Sequence, residues 1–283
     1  MQAIHPLLAL GLASALGLCI GSFLNVVISR LPVMMMRQWH IDALETLDQE
    51  VEELKPFNLA VPRSLCPGCE SPIAWHDNVP LLGYLKRKGR CANCSASISV
   101  QYPLVEIAGA LLAAGVILIH GASLESLFLL GALLALLTLA VIDFHTQLLP
   151  DIITLPLLWA GLAFHALFQP DMLQQAVIGA MGGYLVLWSV FWIFKLATGK
   201  TGMGYGDFKL MAALGAWLGW AFIPYVLVIA AFIGASVGIV AQLAIPRLRG
   251  EPIPFGPFLA IGGGLCLFFG EALIGAFQGM LTL

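Results

Sequence analysis

Four of the six cysteines fall as two C-x2-C pairs, Cys66-Pro67-Gly68-Cys69 and Cys91-Ala92-Asn93-Cys94, with 21 residues between them. That spacing is close to the paired pattern of zinc sites. Each pair sets two sulfurs on one tight turn, and two turns supply a tetrahedron. Four protein thiolates leave no open coordination position, so a zinc held there is structural and not catalytic. A metal-free reduced loop is the alternative. Four thiolates around one zinc carry net negative charge, which Lys86, Arg87, Lys88 and Arg90 stand close enough in sequence to offset. Cys19 and Cys266 stand singly in apolar runs and read as packing residues.

A second set of candidates is acidic. Glu106, Asp143, Asp151, Asp207 and Glu271 lie in or at the ends of apolar stretches, where an ionisable side chain is costly and therefore a functional candidate. Asp143 closes the run Leu139-Ala140-Val141-Ile142, where a helix C-terminus disfavours an anion, and no structural need explains it. Asp207 ends Gly202-Met203-Gly204-Tyr205-Gly206 and opens the next apolar run, so it can serve as a helix N-cap. The glycines are a flexible entry or a phosphate cradle, but no strand precedes them, which weakens a nucleotide reading. Asp151, after Pro150, reads as a cap. Two carboxylates meeting in a partly dry site can share one proton and activate a water for attack on an amide. Asp143 and Asp207 thus form a candidate aspartic protease pair, with Asp207 as the general base and Asp143 holding the proton.

The elements that carry these groups are membrane spans. Of 283 residues, 60% are hydrophobic and only 10% charged, against roughly 25% charged in an ordinary soluble domain. A soluble globular enzyme and a disordered chain are both excluded by this composition. Stretches of about 17 to 20 apolar residues give eight spans, near 6–29, 103–120, 124–143, 152–168, 173–197, 207–220, 222–244 and 256–277. The sixth is short and entered through glycines, hence tilted or partly re-entrant. Eight of the 13 Lys and Arg and eight of the 16 Asp and Glu lie between Arg30 and Pro103, an aqueous insertion. The expected organisation is a first transmembrane helix over 1–29, a cytoplasmic four-cysteine domain over 30–102 and a membrane peptidase core over 103–283. Placing both termini outside puts all 13 basic residues in inner segments or at inner span ends, and none in the loops near 121–123 and 169–172. In the cytoplasm the thiols stay reduced. Within the insertion, Ile41, Leu44, Leu47, Val51 and Leu54 recur at helical spacing and predict an amphipathic helix. The charge balance of -3 gives no reason to expect a nucleic-acid partner.

Taken in order, these residues resemble the bacterial type IV prepilin peptidases, the GxGD aspartic proteases that also act as N-methyltransferases in pilus and type II secretion systems. The likeness rests on Gly21-Ser22-Phe23-Leu24-Asn25-Val26-Val27 with Arg30-Leu31-Pro32, both cysteine pairs, Tyr102-Pro103-Leu104-Val105-Glu106, and Ile142-Asp143 through Leu148-Leu149-Pro150-Asp151. It continues in Gly204-Tyr205-Gly206-Asp207-Phe208-Lys209 and Pro252-Ile253-Pro254-Phe255-Gly256-Pro257. The resemblance implies that Asp143 and Asp207 are catalytic and that Cys66, Cys69, Cys91 and Cys94 hold the metal. It implies prepilin or pseudopilin substrates, whose short basic leader is cut after Gly and before a residue that is usually Phe. It also implies S-adenosylmethionine as methyl donor and a multi-pass protein of the bacterial inner membrane. The sequence carries no soluble methyltransferase pattern, so the donor site is not located; Gly89 and Glu106 are candidates for a part in methylation. Asn25 serves equally as an interhelical hydrogen-bonding residue, Glu106 as a carboxylate favoured at a helix start, Gly89 as a turn residue, and His145 as a proton relay or an interfacial histidine. The competing class is a non-enzymatic carrier or scaffold whose aspartates bind a cation near broken helices. Both aspartates at one face, not the midplane, favour the peptidase.

Overall fold

The computed structural model describes residues 6–50, 55–245 and 253–281, which are mostly helical, contain no extended strand, and are largely irregular over 55–81 and 87–100. The chain divides into two compact units, Met1–Ala122 and Ser123–Leu283.

In the first unit a 41-residue helix, α1 (Pro6–Thr46), packs on α3 (Gln101–His120), with the short α2 (Leu82–Lys86) between them in sequence. Glycines let the two backbones touch: a Cβ at Gly21 would lie 2.8 Å from Glu106 Cα. The helix continues well past residue 29, where the first apolar span was expected to end. Pro32 removes one intrahelical hydrogen bond, but Ile28 and Leu31 beside it are buried and hold the helix through it. The proposed amphipathic helix is accordingly the distal part of α1, carrying Ile41 and Leu44, while Val51 and Leu54 lie outside the described residues. Cys19 is exposed on α1, so the packing role expected of it is not seen, whereas Cys266 in the second unit is buried.

The second unit comprises α4 (Leu124–Thr146), α5 (Asp151–Phe168), α6 (Leu173–Thr198), α7 (Tyr205–Leu218), α8 (Ile223–Ala244) and α9 (Gly256–Leu281). Its centre is α7. Fourteen residues span only about 21 Å at the ~1.5 Å helical rise, less than the ~30 Å hydrocarbon layer. Yet Phe208, Leu210, Met211, Leu214 and Trp217 are buried around its circumference, against α5, α6, α8 and α9. A helix apolar on all sides is stable only when other helices enclose it, which is why this segment looked too weak for a span. Gly179 and Gly183 of α6 lie directly on the backbone of α7 at Gly215 and Met211. Among the described residues six helices, α1, α3, α4, α5, α6 and α8, are long and apolar enough to cross a membrane, and Gly256–Gly270 at the start of α9 is a shorter apolar helix. The side chain of Glu271 lies outside the described residues.

Candidate active site and metal centre

Asp143 sits near the C-terminal end of α4, whose last turn closes through Gln147 in the left-handed conformation. Its side chain is 5% exposed, and its Oδ2 has no hydrogen-bond partner among the described residues. The amide of Gly256, first residue of α9, faces this carboxyl. A helix N-terminus therefore opposes the unfavourable end of α4, an offset that position along α4 alone does not reveal. Asp207, 6% exposed, is in the first turn of α7, where Oδ2 accepts from the Gly204 amide at 3.2 Å. Gly204 itself is the N-cap, so Asp207 supports the helix start from within.

Leu149 draws these parts together. A Cβ at Gly206 would stand 2.8 Å from Leu149 Cβ, and one at Gly256 would stand 3.2 Å from Leu149 Cδ1 and 2.5 Å from Asp143 Oδ2. Asp143 and Asp207 are close enough to interact electrostatically. Beside them, Lys209 Nζ donates to Asp151 at 2.7 Å and ties the start of α7 to the start of α5. Asp151 is thus an ion-pair partner and not the cap its position suggested; the N-cap of α5 is Pro150. The arrangement supplies a buried carboxyl with a free acceptor oxygen, a second fixed by an amide, and no cation paired directly to either among the described residues.

In the first unit the four cysteine sulfurs lie within 4.8 Å of one another. Cys66 and Cys94 are 3.7 Å apart, Cys69 and Cys91 4.0 Å. A zinc tetrahedron with Zn–S bonds of about 2.3 Å has edges of about 3.8 Å, so the donor set fits that ion. The two turns repeat each other: Cys66 N donates to Ser71 O and Cys91 N to Ala96 O, and Glu70 and Ser95 both take positive φ. The Ser71 hydroxyl and amide bring the Cys69 thiol down to about 6, and the amides of Cys94 and Asn93 lower that of Cys91. Although the Ala96 amide favours its anion, Cys94 is pushed up to about 11, chiefly by the Cys69 sulfur. Four crowded sulfurs cannot all ionise without a cation among them. Lys86 and Arg87 pair directly with Asp77, at 3.1 and 2.6 Å, and Arg87 also lies close enough to Cys91 to interact with its charge. The Arg87 guanidinium holds the Asp77 carboxyl at about 2.

Of the remaining candidates, Asn25 Nδ2 donates to the Tyr102 carbonyl at 3.0 Å, an interhelical bond and one of the two roles open to it alongside substrate contact, while its Oδ1 is buried without a partner among the described residues. Glu106, 7% exposed, accepts from the Leu81 amide at 2.8 Å. Gly89 has φ +68, and a Cβ there would lie 2.8 Å from Tyr84 Oη. His145 is exposed, its Nδ1 against the Val141 carbonyl of its own helix. Sequence reasoning missed Gly256 as a contact of Asp143 and missed the Asp77 cluster. It also missed His165, buried with Nε2 3.1 Å from the Trp217 carbonyl. Only the Pro-Phe-Gly-Pro run and the Lys86-Arg87 pair offered a signal for the first two.

Residues 15–120 match the Bacterial Peptidase A24 N-terminal domain, and residues 128–239 the Type IV leader peptidase family. The chain is 49% identical over 270 residues to the prepilin leader peptidase/N-methyltransferase of Aeromonas hydrophila, covering 95% of this chain and 93% of that one. It is 49% identical to the protein of that description from Burkholderia pseudomallei (strain 1026b), over 92% of this chain and 85% of the other. The Pseudomonas aeruginosa counterpart is 46% identical over 96% and 94%. No solved structure matches the chain significantly.

Proposed function

The chain belongs to the type IV leader peptidase family, and we propose that it removes the basic leader of prepilins or pseudopilins at the cytoplasmic face of the inner membrane and methylates the new N-terminus. The observation that carries the peptidase reading is the buried Asp143 carboxyl, unpartnered at Oδ2 and interacting with Asp207. Asp207, fixed by the Gly204 amide, starts as the anion and removes a proton from water as the water oxygen bonds to the scissile carbonyl carbon. Asp143 gives its proton to the carbonyl oxygen. On collapse the C–N bond breaks, the leaving amine takes the proton from Asp207, and Asp143 recovers its own. Both groups end as they began.

In this reading eight segments cross or enter the bilayer with both termini outside, and the cysteine module lies in the cytoplasm, as the distribution of basic residues supports. The module's donor set fits a structural zinc held by Cys66, Cys69, Cys91 and Cys94. S-adenosylmethionine supplies the methyl group: its S–CH3 bond breaks with the electron pair left on sulfur, an N–CH3 bond forms from the lone pair of the neutral N-terminal amine, and one proton leaves that nitrogen. Purified protein incubated with a prepilin should produce a pilin lacking the leader mass, and with S-adenosylmethionine one heavier by a methylene. An unshortened prepilin would refute the peptidase assignment.

A further inference from the structure

A cavity of about 870 Å³ opens in the first unit, walled by α1, α3 and both cysteine turns, with Cys66 and Cys91 contributing to its lining. It is the size of a small-molecule site. Its lining carries both signs of charge and flat rings: Glu106 and Asp77, Arg30 and Arg87, and Tyr84 and Tyr102. Two polar atoms of its lining residues are buried without a partner among the described residues, the acceptor Asn25 Oδ1 and the donor Arg87 Nε. Asn25 is 2% exposed. Unpaired buried polar atoms are costly, so their occurrence at one cavity needs a reason.

A third feature points the same way. Leu81 takes φ +59, a conformation an L side chain resists, and its amide is the one that Glu106 binds. The carboxyl group and the wall residue Leu81 are thereby locked to each other, at the expense of local strain. Interhelical packing of α1 on α3 does not require this. A carboxyl group held in one position at a cavity wall accounts for it.

We propose that this cavity binds the methyl donor S-adenosylmethionine, an inference that rests on the methyltransferase reading. The donor carries a sulfonium cation, an ammonium, a carboxylate, a ribose diol and a flat adenine. Glu106 matches the cationic groups and Arg30 the carboxylate, Arg87 being already paired with Asp77. Tyr84 and Tyr102 offer faces for the adenine, and Asn25 Oδ1 an acceptor for a hydroxyl or the adenine amino group. A pilin segment, apolar and extended, matches none of this mixed charge.

Equilibrium dialysis of the purified full-length protein against radiolabelled S-adenosylmethionine reads the site without any turnover. Glu106→Gln, Asn25→Leu and Ala74→Trp should each weaken binding about ten-fold or more, with leader cleavage kept at the wild-type rate as evidence of folding. Ala74 is an exposed wall residue, so its replacement fills space without deleting a hydrogen bond. Ultraviolet crosslinking of the bound donor should label peptides within residues 22–106. Undiminished binding in all three variants, or label confined to residues 123–283, would overturn the site while leaving methyl transfer intact. Wild-type protein that neither binds the donor nor methylates a cleaved pilin would instead overturn the underlying reading, and the site with it.

Discussion

A carboxyl enclosed by apolar helices is retained only if something near it gains from its charge or its proton, and among the described residues Asp143 Oδ2 has no hydrogen-bond partner to serve. Asp143→Asn and Asp207→Asn should each abolish cleavage while prepilin binding persists, and the wild-type rate should have a bell-shaped pH profile with two macroscopic limits. Near-normal cleavage by either variant would refute the pair. Gly256→Ala is a finer test, because its new Cβ would stand 2.5 Å from Asp143 Oδ2 and must displace it. Misplacing a catalytic group by less than an ångström should cost on the order of ten-fold or more in kcat, with zinc content unchanged; a kcat equal to wild type would show that the Asp143 position is not critical. The two aspartates were legible in sequence because charge interrupts apolar runs there. Gly256 was not, because its contact joins helices far apart in the chain, and the α4 dipole alone gave a picture of Asp143 that the start of α9 alters.

At the scale of elements, the cysteine turns could be read from spacing because a turn is local, whereas the continuity of α1 through Pro32 depends on burial of Ile28 and Leu31 by packing, which spacing does not encode. Since a zinc closed by four thiolates cannot bind the attacking water, its loss should act through structure. Cys91→Ser should lower zinc content and increase proteolytic nicking across residues 64–95; a zinc-free variant with full protease resistance but no peptidase activity would point to direct participation. Acid should loosen the module in two stages. The Asp77 carboxyl is held at about 2, chiefly by its hydrogen bond from Arg87, so its ion pairs are fully present above the ordinary carboxylate value near 3.8 and are lost as pH falls toward 2. Loosening between about pH 6 and pH 4 would therefore report protonation of thiolate ligands. Gly89→Lys, which forces a side chain into φ +68 and against Tyr84, should reduce methylation more than cleavage. Equal losses of both in folded protein would refute that separation.

The whole molecule is two compact units, Met1–Ala122 and Ser123–Leu283, and each matches its own family domain, residues 15–120 and 128–239. Composition and spacing made the membrane class, the four-cysteine cluster and the acidic pair legible, but not the cavity, because a cavity lined from α1, α3 and two turns has no contiguous signature. The cavity and the cysteines belong to the first unit, the aspartates to the second. The activities should therefore separate, but asymmetrically. The methyl acceptor is the amine that cleavage exposes, so an aspartate variant presented with intact prepilin must lose both reactions even if its methyltransferase site is untouched. Given a peptide that already begins at the mature N-terminus, Asp207→Asn should methylate at close to the wild-type rate, whereas Glu106→Gln should cleave prepilin normally and methylate neither substrate efficiently. Mass measurement of both products from both variants decides the matter. Loss of methylation of the pre-cut peptide in Asp207→Asn, with donor binding retained, would mean that the second unit takes part in methyl transfer beyond exposing the amine.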